Sequence, residues 1–394
     1  MTHHSSSAAE ISPRRRTVSS LVLGIGFGLT GAGTVMLGVL LPALSERWEL
    51  QDGAAGFLFF LQFLGSSLGA LLTGANRVRA LLGGYGVLVV SAGALVFAGP
   101  YLSFVVFFFF GLGLGMAMTA TSLLFSDRYG DNRAAILERL NFAWSAGAMA
   151  APMLFLPLLQ KGRLSPIFFT FQGLFLLLLI WVFFRERQTT PAMESSSFAM
   201  QPQSPVPLLF LLPLMAMAMC SVGVESSLSG WLTTYTHRAN PGNLGWAMLA
   251  TSLFWFGVML SRLVFSTRLM AILGRRKVLL CTLLGVALSV ALLMAAHAPV
   301  AIRAASGLAG LCIGPLYPLL LSFILERAPR GWIFFVAGLG SAFFPWMAGL
   351  FSAHFGSLRL GLIAPCSAAL LMIALLPLTL RSAGSSVPSA SSRI

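Results

Sequence analysis

The segment Arg185–Pro207, RERQTTPAMESSSFAMQPQSPVP, decides how the rest of the chain is read. It is rich in Ser, Pro and Gln, and such a composition reads as a flexible linker. Long apolar runs lie on both sides of it. A membrane span needs about 20 apolar residues, somewhat more when tilted. Cutting at charges and at Gly/Pro/Asn clusters gives six spans before the segment, at 18–44, 54–74, 80–99, 101–126, 133–160 and 165–185. Six more follow it, at 206–236, 243–267, 275–296, 299–325, 331–354 and 358–380. The expected division is a tail at 1–17, a six-helix bundle at 18–185, a linker at 186–205, a second bundle at 206–380 and a tail at 381–394.

Composition supports the membrane reading. Of 394 residues, 57% are hydrophobic and 9% charged, with 32 Phe against 11 acids. A soluble domain carries about a quarter charged residues, so most of this surface must meet lipid. The first run follows Arg14, Arg15 and Arg16 and is too long for a cleaved signal peptide, which makes it an uncleaved first span. The net charge of +14 does not mark a nucleic-acid binder, because the arginines punctuate the gaps between apolar runs instead of forming one basic module. Cys220, Cys281, Cys312 and Cys366 lie within apolar runs without metal-ligand spacing, and read as small buried hydrophobes. The five histidines have no partners at ligand spacing. No metal or cofactor is expected.

The basic residues also orient the chain. With the N-terminus inside, 17 of the 25 fall on the cytoplasmic side, while Arg47, Lys161, Arg163, Arg238, Arg303 and Arg359 fall on the other. Arg139 and Arg262 lie inside helices. This bias places both termini in the cytoplasm of a multi-pass protein of the cell (inner) membrane. The halves repeat at an offset of 188, seen in the span starts near 18 and 206 and in Gly69 and Gly257, each ahead of a basic turn. Asp127-Arg128 at the inner end of span 4 is echoed by Glu326-Arg327 at the inner end of span 10, a candidate inner gate. Two six-helix halves in parallel orientation suit a protein that rocks around a central site.

One stretch stands out chemically. SVGVESSLSGWLTTYTHR, residues 221–238, puts Glu225 inside an apolar run, where an ionised acid is expensive. On a regular helix Ser221, Ser229, Thr233 and Thr236 fall within about 80° of it, one polar stripe. Trp231 and Tyr235 form an adjoining aromatic arc. A carboxylate, hydroxyls and flat rings suit a polyhydroxylated ligand, because the acid accepts from hydroxyls and the rings pack on C–H faces. Glu225 could instead be a structural ion-pair partner of Arg139 or Arg262, and the two aromatics could belong to an interfacial belt. ILERLNFAWSAGAMAAP in span 5 offers Asn141 and Trp144 on one face, with Glu138 and Arg139 nearer the cytoplasm as gate or ion-pair residues. Gln62 in span 2, Trp255 in span 8 and Tyr317 beside a proline in span 10 are candidate ligand contacts or packing residues. The glycines of GFGLTGAG and GLGLGMA sit at helical spacing and permit close helix packing. No nucleophile–base pair or phosphate loop is evident, so no enzyme activity is expected.

Twelve spans, a 6+6 repeat and basic turns after spans 2 and 8 resemble the major facilitator superfamily over essentially the whole chain. Its signature turn is degraded here. GANRVRALLG keeps Gly74, Asn76 and Arg77 without an acid, and STRLMAILGRRK has Thr267 at the acid's place. Gly223, Glu225, Gly230, Trp231, Leu232 and Tyr235, followed by Phe254, Trp255, Gly257 and Arg262, resemble the fucose-permease-like branch, which includes sodium-dependent glucose transporter relatives. Ser261 replaces a glycine of that pattern. The resemblance implies an all-α fold of twelve transmembrane helices in two pseudo-symmetric bundles, and a monosaccharide carried by alternating access. Two acids of fucose:proton symporters are replaced by Gly38 and Met118, so coupling to H+ or Na+ would fall to Glu225, and without it the chain is a uniporter. Export of amphipathic drugs or lipids, or a non-transporting receptor, are the rival readings. The expected partners are a sugar and the bilayer, and the chain is expected to be a monomer.

Overall fold

A bilayer offers no water to an unpaired N–H or C=O, so each apolar run satisfies its backbone internally by coiling into a helix. The computed structural model describes residues 13–129, 133–185, 208–264, 270–325 and 332–384. They are helical throughout apart from turns, with no strand among them. The first half comprises α1 (Pro13–Trp48), α2 (Asp52–Leu71), α3 (Arg77–Phe97), α4 (Pro100–Tyr129), α5 (Arg133–Leu159) and α6 (Ser165–Arg185). The second comprises α7 (Leu208–Ala239), α8 (Leu244–Val264), α9 (Met270–Leu273), α10 (Arg275–Ala295), α11 (Pro299–Ile313), α12 (Leu316–Leu325), α13 (Trp332–Phe355), α14 (Leu358–Gly361) and α15 (Ile363–Gly384). Twelve helical stretches are long and apolar enough to cross a membrane, which matches the expected number, and α11 and α12 together form one of them. The expected linker 186–205 lies outside the described residues, as do Glu326 and Arg327.

Boundaries shift in instructive ways. Helix α1 begins at Pro13, inside the expected tail, because proline is tolerated in a first turn where its missing N–H would be unpaired anyway. The tenth span is broken at Gly314-Pro315, since Pro315 has no N–H to continue the ladder. Of the cysteines expected to be buried, Cys220 is buried but Cys281 is exposed on the apolar outer surface of α10.

Packing inside each half is close at glycines. In the first half α2 packs on α4, α3 on α4 and α6, and α1 on α5. In the second, α8 packs on α11, and α7 on α13 and α15. A Cβ at Gly115 of α4 would collide with the Ser66 carbonyl of α2, and one at Gly310 of α11 with the Phe254 carbonyl of α8. The two seams are equivalents in the repeat, and they confirm the reading of GLGLGMA as a packing motif. Large apolar side chains such as Val90, Phe97, Leu177 and Phe184 point outward, where the lipid is.

Among the described residues the halves meet chiefly where α2 packs on α13, α5 on α8 and α1 on α7. The described start of α1, the α2–α3 turn, the last turns of α4 and α6 and the first turns of α5 and α7 lie at one face, called here the near face. The opposite, far face carries the α1–α2 and α7–α8 turns.

Candidate functional site

The central group is built on Glu225, near the middle of α7. An Oε of Glu225 lies 3.6 Å from an Nη of Arg262 on α8, and the two side chains are 15% and 22% exposed. That spacing is an ion pair beyond hydrogen-bond length, so the carboxylate keeps capacity for another donor. Arg262 has two further partners. Its Nη1 donates to Ser145 Oγ on α5 of the opposite half at 3.1 Å, and its Nε reaches the Gly314 carbonyl at 3.5 Å, where the tenth span breaks. One guanidinium therefore touches three helical segments, one of them across the division between halves. Tyr317, one turn past the break, is within electrostatic reach of Glu225.

Two tryptophans stand on the same α5–α8 contact. Trp144 meets Trp255 edge to face, with ring centres 5.0 Å apart and planes at 75°. Both indole N–H groups are buried with no hydrogen-bond partner among the described residues. A buried N–H left unpaired costs about 1–3 kcal/mol, so two side by side mark a place where an acceptor is wanted. The Ser252 hydroxyl donates across the halves to the Met149 carbonyl at 2.9 Å and closes the contact on one side. Asn141 lies one turn before Ser145 on α5 and is exposed. The structure thus joins Glu225 to Arg262 with Tyr317 in reach, and sets Trp144 against Trp255 on the α5–α8 contact that Arg262 and Ser145 also make; Asn141 lies one turn before Ser145. The sequence did not single out Ser145, which is buried among small residues and becomes visible only through its partner.

Other candidates lie elsewhere. Trp231 is fully buried, donates its indole N–H to the Pro345 carbonyl at 2.8 Å and packs edge-on against Phe59. Tyr235 is buried and donates to the Leu293 carbonyl at 2.6 Å. Both aromatics have their polar atoms used within the protein. The polar stripe is likewise turned into the bundle: Thr233 shares a 2.7 Å hydrogen bond with Thr251 of α8, and Ser221, Ser229 and Thr236 are buried. Gln62 is buried and its amide N–H donates to the Thr34 carbonyl of α1, leaving Oε1 unpartnered.

Charges at the two faces differ. At the near face Asp127 pairs with Arg77 of its own half at 3.7 Å, while Glu138 and Arg139 stand exposed with no ion pair among the described residues. Arg77 also donates to the Gly74 carbonyl, and Asn76 caps α3 by accepting from the Arg79 N–H. At the far face Asp52 of α2 takes a two-pronged contact from Arg238 of α7, at 2.6 and 2.7 Å, and accepts from the Ser352 hydroxyl of α13. This pair joins the halves.

A family model described as Major Facilitator Superfamily matches residues 23–248, more than half of the chain. Solved structures share the fold at low identity. A peptide transporter (POT) mutant in complex with sulfate superposes with a TM-score of 0.73 at 15% identity, covering 93% of this chain and 95% of its own. A D-xylose–proton symporter gives 0.71 at 15%, covering 92% and 98%. A mutant of the nucleoside transporter NupG gives 0.71 at 11%, covering 92% and 99%. No curated protein matches the chain in sequence.

Proposed function

The chain belongs to the Major Facilitator Superfamily, an integral multi-pass membrane family, and on that premise we propose that it carries a hexose or a close relative across the inner membrane by alternating access. The sugar is not chemically changed, and uphill movement draws on a proton held at Glu225. The protein works as a monomer with both termini in the cytoplasm, so the far face is the outside and the structure is closed there.

The observation that carries this reading is the threefold hold on Arg262. While Glu225 is ionised it draws the guanidinium toward α7, and the same guanidinium holds α5 of the other half through Ser145. A proton on Glu225, or a sugar hydroxyl donating to it, weakens that pull. The guanidinium is then free to turn, and the hydrogen bond by which it meets Ser145 of α5 can change where the halves must separate. Occupancy at the site is in this way tied to the movement that exposes it, as alternating access requires.

The hexose assignment rests on chemistry and resemblance together. Trp144 and Trp255 offer ring faces to sugar C–H groups, and their free N–H groups suit hydroxyl oxygens. Asn141 and Tyr317 add an amide and a phenol. The Gly223–Tyr235 and Phe254–Arg262 patterns resemble sugar carriers, and one structural neighbour is a xylose–proton symporter.

Purified protein in proteoliposomes tests it. A hexose panel should raise thermal stability selectively, and an inward proton gradient should drive accumulation of the binding sugar. Stabilisation by amphipathic drugs with none by sugars would overturn the substrate. Accumulation that follows Na+ and ignores pH would overturn the proton.

A further inference from the structure

We infer that Arg303 and Trp246 form a lipid site at the far face, one that takes the phosphate of a phospholipid headgroup from the surrounding leaflet. Arg303 lies in the second turn of α11 and is 8% exposed. Its guanidinium carbon sits 3.5 Å from the centre of the Trp246 ring, in the first turn of α8. Asn243 fixes that turn by accepting from the Trp246 backbone N–H. A ring face attracts the charge but offers the N–H groups at the edge of the fork no oxygen. Nη1 is buried there with no hydrogen-bond partner among the described residues. A covered cation without an acceptor is expensive, and this half offers no acid to relieve it. From residue 206 onward the chain has two, Glu225, which faces Arg262 at mid-span, and Glu326, which comes after the end of α12. Asp52 of the other half is held by Arg238 and Ser352. Arg359, another base of this face, is met by His297 and the Ala296 carbonyl.

The fold itself does not demand a cation here. Counted from the equivalent seams, Gly310 with Phe254 and Gly115 with Ser66, the first half has Phe108 in the place of Arg303 and Leu58 in the place of Trp246. The surroundings name the occupant. Trp246 is 39% exposed, with Phe256 and Leu260 also exposed on its side of α8, while exposed Val300 and Leu308 flank Arg303 on α11. These apolar rows meet acyl chains, so the pair is reached from the lipid. Its place in the first turns of two spans is the depth of the headgroups, where a tryptophan ring is at home. A guanidinium fork matches the oxygens of a phosphate. A phospholipid brings both parts at once, a phosphodiester for Arg303 and glycerol with its first methylenes for the Trp246 ring.

Delipidated full-length protein in detergent tests the site, with short-chain phosphatidylglycerol, the matching diacylglycerol and inorganic phosphate as probes. Native mass spectrometry counts bound lipid, and melting temperature is read in parallel. Phosphatidylglycerol should bind and raise the melting temperature, and diacylglycerol at the same concentration should do neither. Arg303→Phe installs the first half's residue and should lower phosphatidylglycerol affinity on the order of 5–30-fold, the factor that one or two kcal/mol represents. Without lipid it should melt no lower than the parent. Arg303→Lys keeps the charge, loses the fork and should fall between the two. Lys161→Gln removes an exposed charge from the same face and should bind lipid like the parent. Stabilisation by inorganic phosphate equal to that by phosphatidylglycerol would mark a free anion's site and overturn the lipid assignment. An equal loss in Lys161→Gln would overturn it in favour of general charge attraction. Parent affinity in either folded Arg303 variant would overturn the inference.

Discussion

Replacing Glu225 by Gln keeps the side chain's shape and removes its charge, so the change isolates the hold on Arg262. At 3.6 Å and an effective dielectric constant of about 20, the lost attraction is about 4–5 kcal/mol. Much of it is returned, because burying a neutral amide costs less than burying a carboxylate. Arg262 also keeps its Ser145 hydroxyl and the Gly314 carbonyl, so it is not left alone in the bundle. The net loss expected in sugar binding is about 1–3 kcal/mol, a range that includes one hydrogen bond from a sugar hydroxyl to the carboxylate. Two quantities separate the roles of the carboxylate. If Glu225 only accepts a hydrogen bond from the sugar, affinity should fall by about 5–150-fold with the pH dependence of transport unchanged. If it also carries the proton, as proposed, uphill accumulation in proteoliposomes should vanish while exchange of labelled sugar across the membrane survives. A Glu225→Gln protein that binds and accumulates sugar like the parent would refute both, and leave Glu225 as a structural partner of Arg262.

Trp255→Phe keeps the edge-to-face contact with Trp144 and deletes an N–H that has no protein partner, so melting temperature should hold while sugar affinity drops several-fold in a binding titration. Tyr235→Phe should do the reverse, lowering stability by about 1 kcal/mol through the lost bond to the Leu293 carbonyl and leaving affinity unchanged. Gly310→Val forces a branched side chain into the Phe254 carbonyl, and the yield of folded protein by size-exclusion chromatography should collapse, whereas the same change at lipid-open Gly86 should be tolerated. A single cysteine at Ser196 should resist an impermeant thiol reagent added to intact cells; labelling from outside would reverse the proposed topology.

The fold was legible because the bilayer imposes a strong constraint: twelve apolar runs of sufficient length have no alternative to helix. Glycine spacing was legible for the same reason, since a bare helix face is useful only against another helix. Glu225 announced itself by its cost. Its partner among two candidate arginines did not, because helical periodicity gives the face a residue occupies and not the helix that face meets. That gap also explains Trp231 and Tyr235. Their pattern suits a ligand-binding face, yet the neighbours that fill it are Pro345, Phe59 and Leu293, distant in sequence. The Asp52 contact was invisible on similar grounds: Arg238 and Ser352 stand 186 and 300 positions from Asp52. Two charges near helix ends at the same face were the available signal, and many such charges are simply solvated.

The glycine seams have a mechanical consequence. Where backbone rests on backbone, as at Gly115 with Ser66 and Gly310 with Phe254, no side chain remains that could change rotamer to absorb a displacement. Each seam is a stiff weld, and each half turns on it as a single lever. Compliance is left to the joint where side chains mediate, the edge-to-face rings and hydroxyls of α5 against α8, because α2 and α13 also meet backbone to backbone at Gly56 and Gly349. A substitution in a weld should therefore cost folding yield and spare turnover in whatever protein survives. One in a joint should spare folding and change the rate at which the halves exchange places.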